Sequence, residues 1–302
     1  MDQISSPRPF DRERRLRAAL RISGPRTFAS RLEESFFLQG FDAKSLDELR
    51  AEGGMGTREE AQELAFQAME APRQEQAAQL ARQALELDST CLDAIRVEAV
   101  AESQRPREQH ARLETLLSIA TARYDKTTLE THYGHLWGVV DMRPFLRLHH
   151  ALALLQERVG KPRKATRSLE ALLKLDVQDP LNARHDLVRL YLVTRQPQPL
   201  FRLFNTFPED DSAIFAWGRV LERLHAGMPA GAFKLLADAR ARNPHVEAIL
   251  TGKALTPRAA QGVPARGSAE EAVEVLKIMG TAWTTDRDAM VWLIRGGVID
   301  EA

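Results

Sequence analysis

Four of the chain's eight histidines, His132, His135, His149 and His150, fall between positions 132 and 150, and Trp137, Arg143 and Arg147 lie among them in the stretch "GHLWGVVDMRPFLRLHH". Imidazoles three residues apart share a helical face, so His132 and His135 could hold zinc if a third ligand came from His149. The companions such a site needs are missing. There is no HExxH, CxxC or Glu-x-x-His pattern, and adjacent His149 and His150 point to different faces of a helix. The residues predict no metal and assign Trp137 to packing, with Pro144 suited to a first helical turn. Cys91 is the only cysteine and has no activating base close in sequence. Neither a GxSxG elbow nor a phosphate-binding GxxxxGK[ST] or GxGxxG loop is present. The expectation is a non-catalytic chain without a cofactor.

The elements that position these residues read as helices throughout. Apolar residues recur at three-and-four spacing almost everywhere, and no alternating β-branched and aromatic run is bounded by turn residues. Two glycine-containing breaks, "AEGGMGT" at 51–57 and "PRAAQGVPARGS" at 257–268, predict a basic N-terminal segment with short helices at 1–56, helical repeats at 57–256, and a loop with C-terminal capping helices at 257–302. In "TREEAQELAFQAMEAPRQEQAAQLARQALELDST", Thr57 and Glu60 form a capping-box pattern and Pro72 divides two helices. That is one helix pair in about thirty-four residues, the tetratricopeptide period, with Ala65, Ala77 and Ala84 where paired helices approach. A second pass carries Ala153, Gly160 and Ala165, and a third carries Gly218, Ala232 and Ala239. Between them lies a degenerate pair broken by Pro197 and Pro199. Each pair has an apolar face too large to bury alone, so the pairs must stack. The predicted fold is all-α, a tetratricopeptide-like solenoid in which helix pairs form a right-handed superhelix.

The order of the segments "AQELAFQAMEA", "LARQALELDSTCLDA", "GHLWGVVDMRPFLRLHHALALL", "PRKATRSLEALLKLDVQDPLNARHDLVRLYLV", "DDSAIFAWGRVL", "NPHVEAILTGK" and "RGSAEEAVEVLKIMGTAW" resembles a tetratricopeptide-repeat family of bacteria and plants. It is similar, more distantly, to the suppressor-of-tumorigenicity-seven family of animals. The resemblance runs roughly from Ala61 to Leu293 and leaves out the first sixty residues. It departs from the family at Ser89, Leu92 and Ile95, at Leu146 to His149, and at Gln178 to Leu181. It implies a protein-interaction array with no catalytic residues to carry across.

Counting from the small residues places Arg147, His150, Asn182, His185, Arg189 and Arg219 on the concave face of such an array. Guanidinium and amide groups there suit a carboxylate, which Arg binds bidentately. The leading expectation is a scaffold that holds an acidic protein or peptide segment in this groove; a solvated face with internal salt bridges is its plain alternative. A second reading uses charge. The chain balances 42 Lys+Arg against 42 Asp+Glu, yet Met1 to Arg31 holds eight arginines against three acids. In that reading the segment is an arm for nucleic acid or another acidic partner, with Phe10 stacking on a base. With one cysteine, no apolar run of membrane-spanning length and no signal-peptide pattern, the expected location is cytoplasmic and no membrane partner is expected.

Overall fold

Gly56 shows how the helices are punctuated. It takes an extended conformation before the first turn of the helix beginning at Thr57, and the Glu59 carboxylate accepts its N–H at 3.1 Å. A Cβ on residue 56 would stand 2.9 Å from that carboxylate oxygen, so the absence of a side chain admits the contact. The cap therefore sits one residue before the expected Thr57, with Glu59 in place of Glu60 as its partner.

The structure, a computed structural model, describes residues 8–124, 126–258 and 264–297. The start of the basic segment, part of the break at 257–268 and the last five residues lie outside the described residues. Seventeen α-helices and no named strand occur among the described residues, so the fold is all-α. None of these helices is long and apolar enough to cross a membrane.

Two units divide the chain at 181/182, inside the stretch expected as one array. The first contains α1 (Asp11–Ser23), α2 (Arg31–Gln39), α3 (Leu46–Gly53), α4 (Thr57–Glu70), α5 (Gln74–Leu87), α6 (Leu92–Ala101), α7 (Pro106–Arg123), α8 (Lys126–Thr131), α9 (Arg143–Arg158) and α10 (Pro162–Leu175). Helices α4 and α5 pack through Ala61, Ala65, Ala68, Ala81 and Ala84, all buried, so the two backbones approach without interposed side chains. Helices α9 and α10 pair in the same way, with buried Ala153 and Ala165 and a turn at Gly160, whose φ of +77° suits glycine.

The second unit contains α11 (Ala183–Val193), α12 (Pro197–Thr206), α13 (Ala213–His225), α14 (Pro229–Arg242), α15 (His245–Leu250), α16 (Ala269–Thr284) and α17 (Arg287–Ile294). Pro197 and Pro199 do not break a helix. They occupy the first turn of α12, where backbone N–H groups lack intrahelical partners in any case. Gly218 lets α13 approach its neighbours: a Cβ there would meet Phe204 at 3.1 Å and Val188 at 3.2 Å. Helix α16 packs on α11 and α13, placing Trp283 edge-on to Trp217 in the core.

The N-terminal residues of the first unit are not a separate segment. Helix α1 packs on α3, and the chain at Phe28 crosses the stretch 134–142, which forms two short 3₁₀ turns, Leu136–Gly138 and Val140–Met142. The Phe28 N–H donates to the Gly138 carbonyl at 3.2 Å, and a Cβ on residue 138 would lie 1.8 Å from the Phe28 carbonyl oxygen. On its other side the stretch is tied to Asp176, whose carboxylate accepts the Trp137 N–H at 2.7 Å. Gly138→Ala is expected to force the two backbones apart and undock the N-terminal helices. Limited proteolysis should then cleave within residues 24–30 at least tenfold faster than in wild type, and unchanged cleavage would show that the crossing does not hold them.

Candidate functional site

The six residues expected on one face divide between the two units. In the first unit, Arg147 projects from α9 into a buried set of charges. Its guanidinium grips Asp93 bidentately, Nε to Oδ1 at 3.0 Å and Nη2 to Oδ2 at 2.5 Å, while Nη1 donates to Glu13 at 2.8 Å. Asp93 is fully buried and Arg147 is 7% exposed, so this arginine is structural and faces no groove. Arg96 reaches the same carboxylate at 3.4 Å and Gln62 at 3.0 Å. Burial alone would raise the Asp93 pKa, but Arg147, followed by Arg96 and Gln62, brings it from 3.8 to about 2. Burial likewise opposes ionisation of Glu13, and Arg147, Arg17 and Arg143 more than reverse it, leaving its pKa lowered. His150 is half-buried further along α9. His149 packs edge-on to Phe145 at 4.9 Å, and burial pushes its pKa down to about 4, so it is a neutral packing group.

Of the basic N-terminal residues Arg14, Arg15 and Arg17 turn inward, whereas Arg8, Arg12, Arg26 and Arg31 stay exposed. Arg14 grips Glu70 bidentately at 2.8 and 2.9 Å and reaches Glu63 at 2.9 Å. Arg12 pairs with Glu34 at 2.7 Å, Arg17 with Glu13 at 3.1 Å, and Arg15 binds the Phe41 carbonyl. Arg143, stacked over Trp137 at 4.9 Å, also holds Glu34 at 2.5 Å. Phe10, expected as a base-stacking ring, lies flat against Phe66 at 4.9 Å. The opening stretch is thus a platform on which the N-terminal helices are seated.

The other four candidates belong to the second unit. Asn182 precedes α11 in a left-handed conformation, φ 56°, and its side chain makes no cap hydrogen bond. Arg189 contacts Asp186, one turn earlier, at 3.1 Å. His185 approaches Asp210 at 3.4 Å, beside Arg184 at 2.6 Å on the same oxygen. Burial opposes ionisation of Asp210, but His185, Ser212 and Arg184 hold its pKa well below the ordinary carboxylate value. The His185 ring also meets Phe215 edge-on at 5.9 Å.

Arg219 comes from α13 to the other side of this cluster, its guanidinium lying 5.2 Å from the Phe204 ring and 5.5 Å from Phe215. It is half-buried, and burial acts to lower its pKa, offset in part by Asp210 and Asp238. Among the described residues no carboxylate stands within ion-pair distance of it. His185 and Arg219 therefore converge on Phe215, whereas Arg147 is internal. Arg184 over Phe207 at 5.2 Å and Arg223 over Phe201 at 4.8 Å extend the pattern of guanidinium on ring. Sequence reasoning missed Arg184, although "ARHDLVR" places it beside His185. It also missed the aromatic partners, because they come from α12 and α13.

Cys91 ends the turn before α6, and burial pushes its thiol up to about 11, so it is no poised nucleophile. No group of three or more His, Cys, Asp or Glu residues among the described residues is arranged to hold a metal ion.

Removing the Asp93 charge strands Arg147 and Arg96, so Asp93→Asn is expected to cost the first unit about 3–5 kcal/mol in urea unfolding. Replacing Asp93 and Arg147 together with Leu and Met should recover part of this. The wild-type pH dependence follows from the lowered Asp93 pKa: its stabilisation is complete above about pH 4 and is lost as pH falls through about 2. Asp93→Asn should show a flatter profile in that window, and an identical profile would show that Asp93 contributes nothing to acid sensitivity.

No protein-family model matches this chain, and no curated protein or solved structure matches it either.

Proposed function

We propose that the chain is a non-catalytic, tetratricopeptide-like binding scaffold whose second unit recognises an acidic, extended protein segment. The observation that carries this reading is Arg219: a half-buried guanidinium within cation–π range of Phe204 and Phe215, near His185, with no carboxylate among the described residues in ion-pair range. A guanidinium held between two aromatic rings is pre-organised, so its planar fork can take a carboxylate with little further loss of side-chain freedom. His185 and Asn182 supply neighbouring polar groups for a peptide backbone. Arg189 stands on α11 with His185 and, held by Asp186, serves as a border of the surface.

The repeat architecture is supported by the helix pairs α4/α5, α9/α10 and α13/α14, each with alanine or glycine at its close approach. Stacked pairs of this type present a surface fixed by packing, so recognition follows from shape and charge. The nucleic-acid reading of the N-terminal segment has less support, because Arg12, Arg14, Arg15, Arg17 and Phe10 are engaged inside the first unit. A single buried thiol suits a reducing compartment, and we place the protein in the cytoplasm.

Panning a random twelve-residue peptide library with the intact chain tests this function. Wild type is expected to enrich peptides rich in Asp and Glu, and Arg219→Ala should weaken the selected peptides by about 1.5–3 kcal/mol without loss of helicity. Arg219→Lys should restore only part, because it keeps charge without the fork. Absence of acidic enrichment, or equal binding by Arg219→Ala, would overturn the proposal.

A further inference from the structure

The first unit has a solvent-open cavity of about 710 Å³, within the range of sites that hold small organic ligands. Its wall carries six arginines, Arg14, Arg17, Arg21, Arg26, Arg50 and Arg58, against four acids, Glu59, Glu63, Asp88 and Asp141. Four of the arginines are matched. Arg14 and Arg50 share Glu63 at 2.9 and 2.6 Å, Arg17 reaches Asp141 at 3.2 Å, and Arg58 reaches Asp141 at 3.8 Å. Arg21 and Arg26 are not. Arg26 lies over the Phe37 ring at 4.9 Å with no carboxylate partner among the described residues. Arg21 has a buried Nε without any hydrogen-bond partner.

That orphaned donor is unusual, because buried polar groups are nearly always satisfied. Arg21 also sits in a repulsive field: burial lowers its pKa first, Arg50 and Arg17 lower it further, and Glu59 offsets only part. Glu59 is itself turned toward the Gly56 N–H. Between the charges the wall also offers apolar groups, among them Leu20, Met55, Leu92 and Tyr124, interspersed with Thr27, Gln62 and Thr90. A bare inorganic anion would leave that surface wet, and a neutral apolar molecule would leave two guanidiniums unmatched.

We infer that this cavity binds a small phosphate monoester carried on an apolar body, with Arg21 and Arg26 as its anion clamp. The phosphate oxygens accept from the two unmatched guanidiniums, as planar forks accept phosphate elsewhere. The organic body fills the apolar wall beside Phe66 and Tyr124. The site is distinct from the peptide surface around Arg219, which lies in the second unit, and does not rest on it.

Calorimetric titration of the intact chain with 1-naphthyl phosphate, inorganic phosphate and 1-naphthol tests the assignment. 1-Naphthyl phosphate should bind with one-to-one saturation, and each half alone at least tenfold more weakly. Arg21→Gln should weaken 1-naphthyl phosphate at least tenfold without lowering the urea midpoint, since it removes a charge that has no partner. Arg26→Gln, at an exposed position, should weaken it several-fold, and Arg219→Ala should leave it unchanged. The inference fails if 1-naphthyl phosphate gives no saturable heat, if 1-naphthol binds as tightly, or if both glutamine variants bind like wild type.

Discussion

The first unit depends on one buried ion set, Asp93 between Arg147 and Arg96, with Glu13 on the far side of Arg147. These groups come from α6, α9 and α1, so the same contacts that neutralise the charges fix three helices that are far apart in sequence. Buried charges are costly unless every one is paired. That requirement gives the arrangement its specificity: an apolar residue tolerates a shifted helix, whereas a bidentate guanidinium does not. The two arginines compete for Asp93 unequally. Burial acts to lower both, yet Arg147, with Asp93 and Glu13 both in contact, ends above the ordinary arginine value and Arg96 below it.

The second unit uses arginine in another way. Arg184, Arg219 and Arg223 lie over Phe207, Phe204 with Phe215, and Phe201, respectively. Stacking keeps the apolar face of each guanidinium against carbon and leaves its N–H edge for polar partners. Arg184 and Arg223 meet Asp210 and Glu222 through that edge, whereas Arg219 is left to solvent or ligand. One side-chain type therefore acts as a fastener where the folded chain supplies its counter-charge, as at Arg147, Arg184 and Arg223, and stays open where it does not, as at Arg219.

Much of this was legible in local spacing. The pairs α4/α5, α9/α10 and α13/α14 follow from apolar periodicity, small residues at close approach and glycines in turns, all encoded within about thirty-four residues. Even the misplaced cap at Thr57 lay one residue from the observed one. The fate of Arg147 was not legible. It occupies a polar position by local count, and only Glu13, 134 residues away, and Asp93 turn it inward. The N-terminal arginines misled for the same reason, since composition records charge but not which acid each one meets. The repeat register placed His185 and Arg219 on one face, but the rings beside Arg219 belong to helices whose packing no single segment specifies.

The Glu13–Arg147 ion pair between α1 and α9 also sets an order of events during synthesis. Glu13 leaves the ribosome long before its partner Arg147, which follows 134 residues later. At about 5–20 residues per second, that is a delay of roughly 7–27 s. Until then Glu13 has only Arg17 beside it, although Arg14 can already meet Glu63 and Glu70, and the Phe28–Gly138 backbone crossing cannot form. Helices α4 and α5, whose alanine contacts are local, can pair during the interval. The ion pair that fixes α1 against α9 is thus completed only after α4 and α5 have been made and can pair.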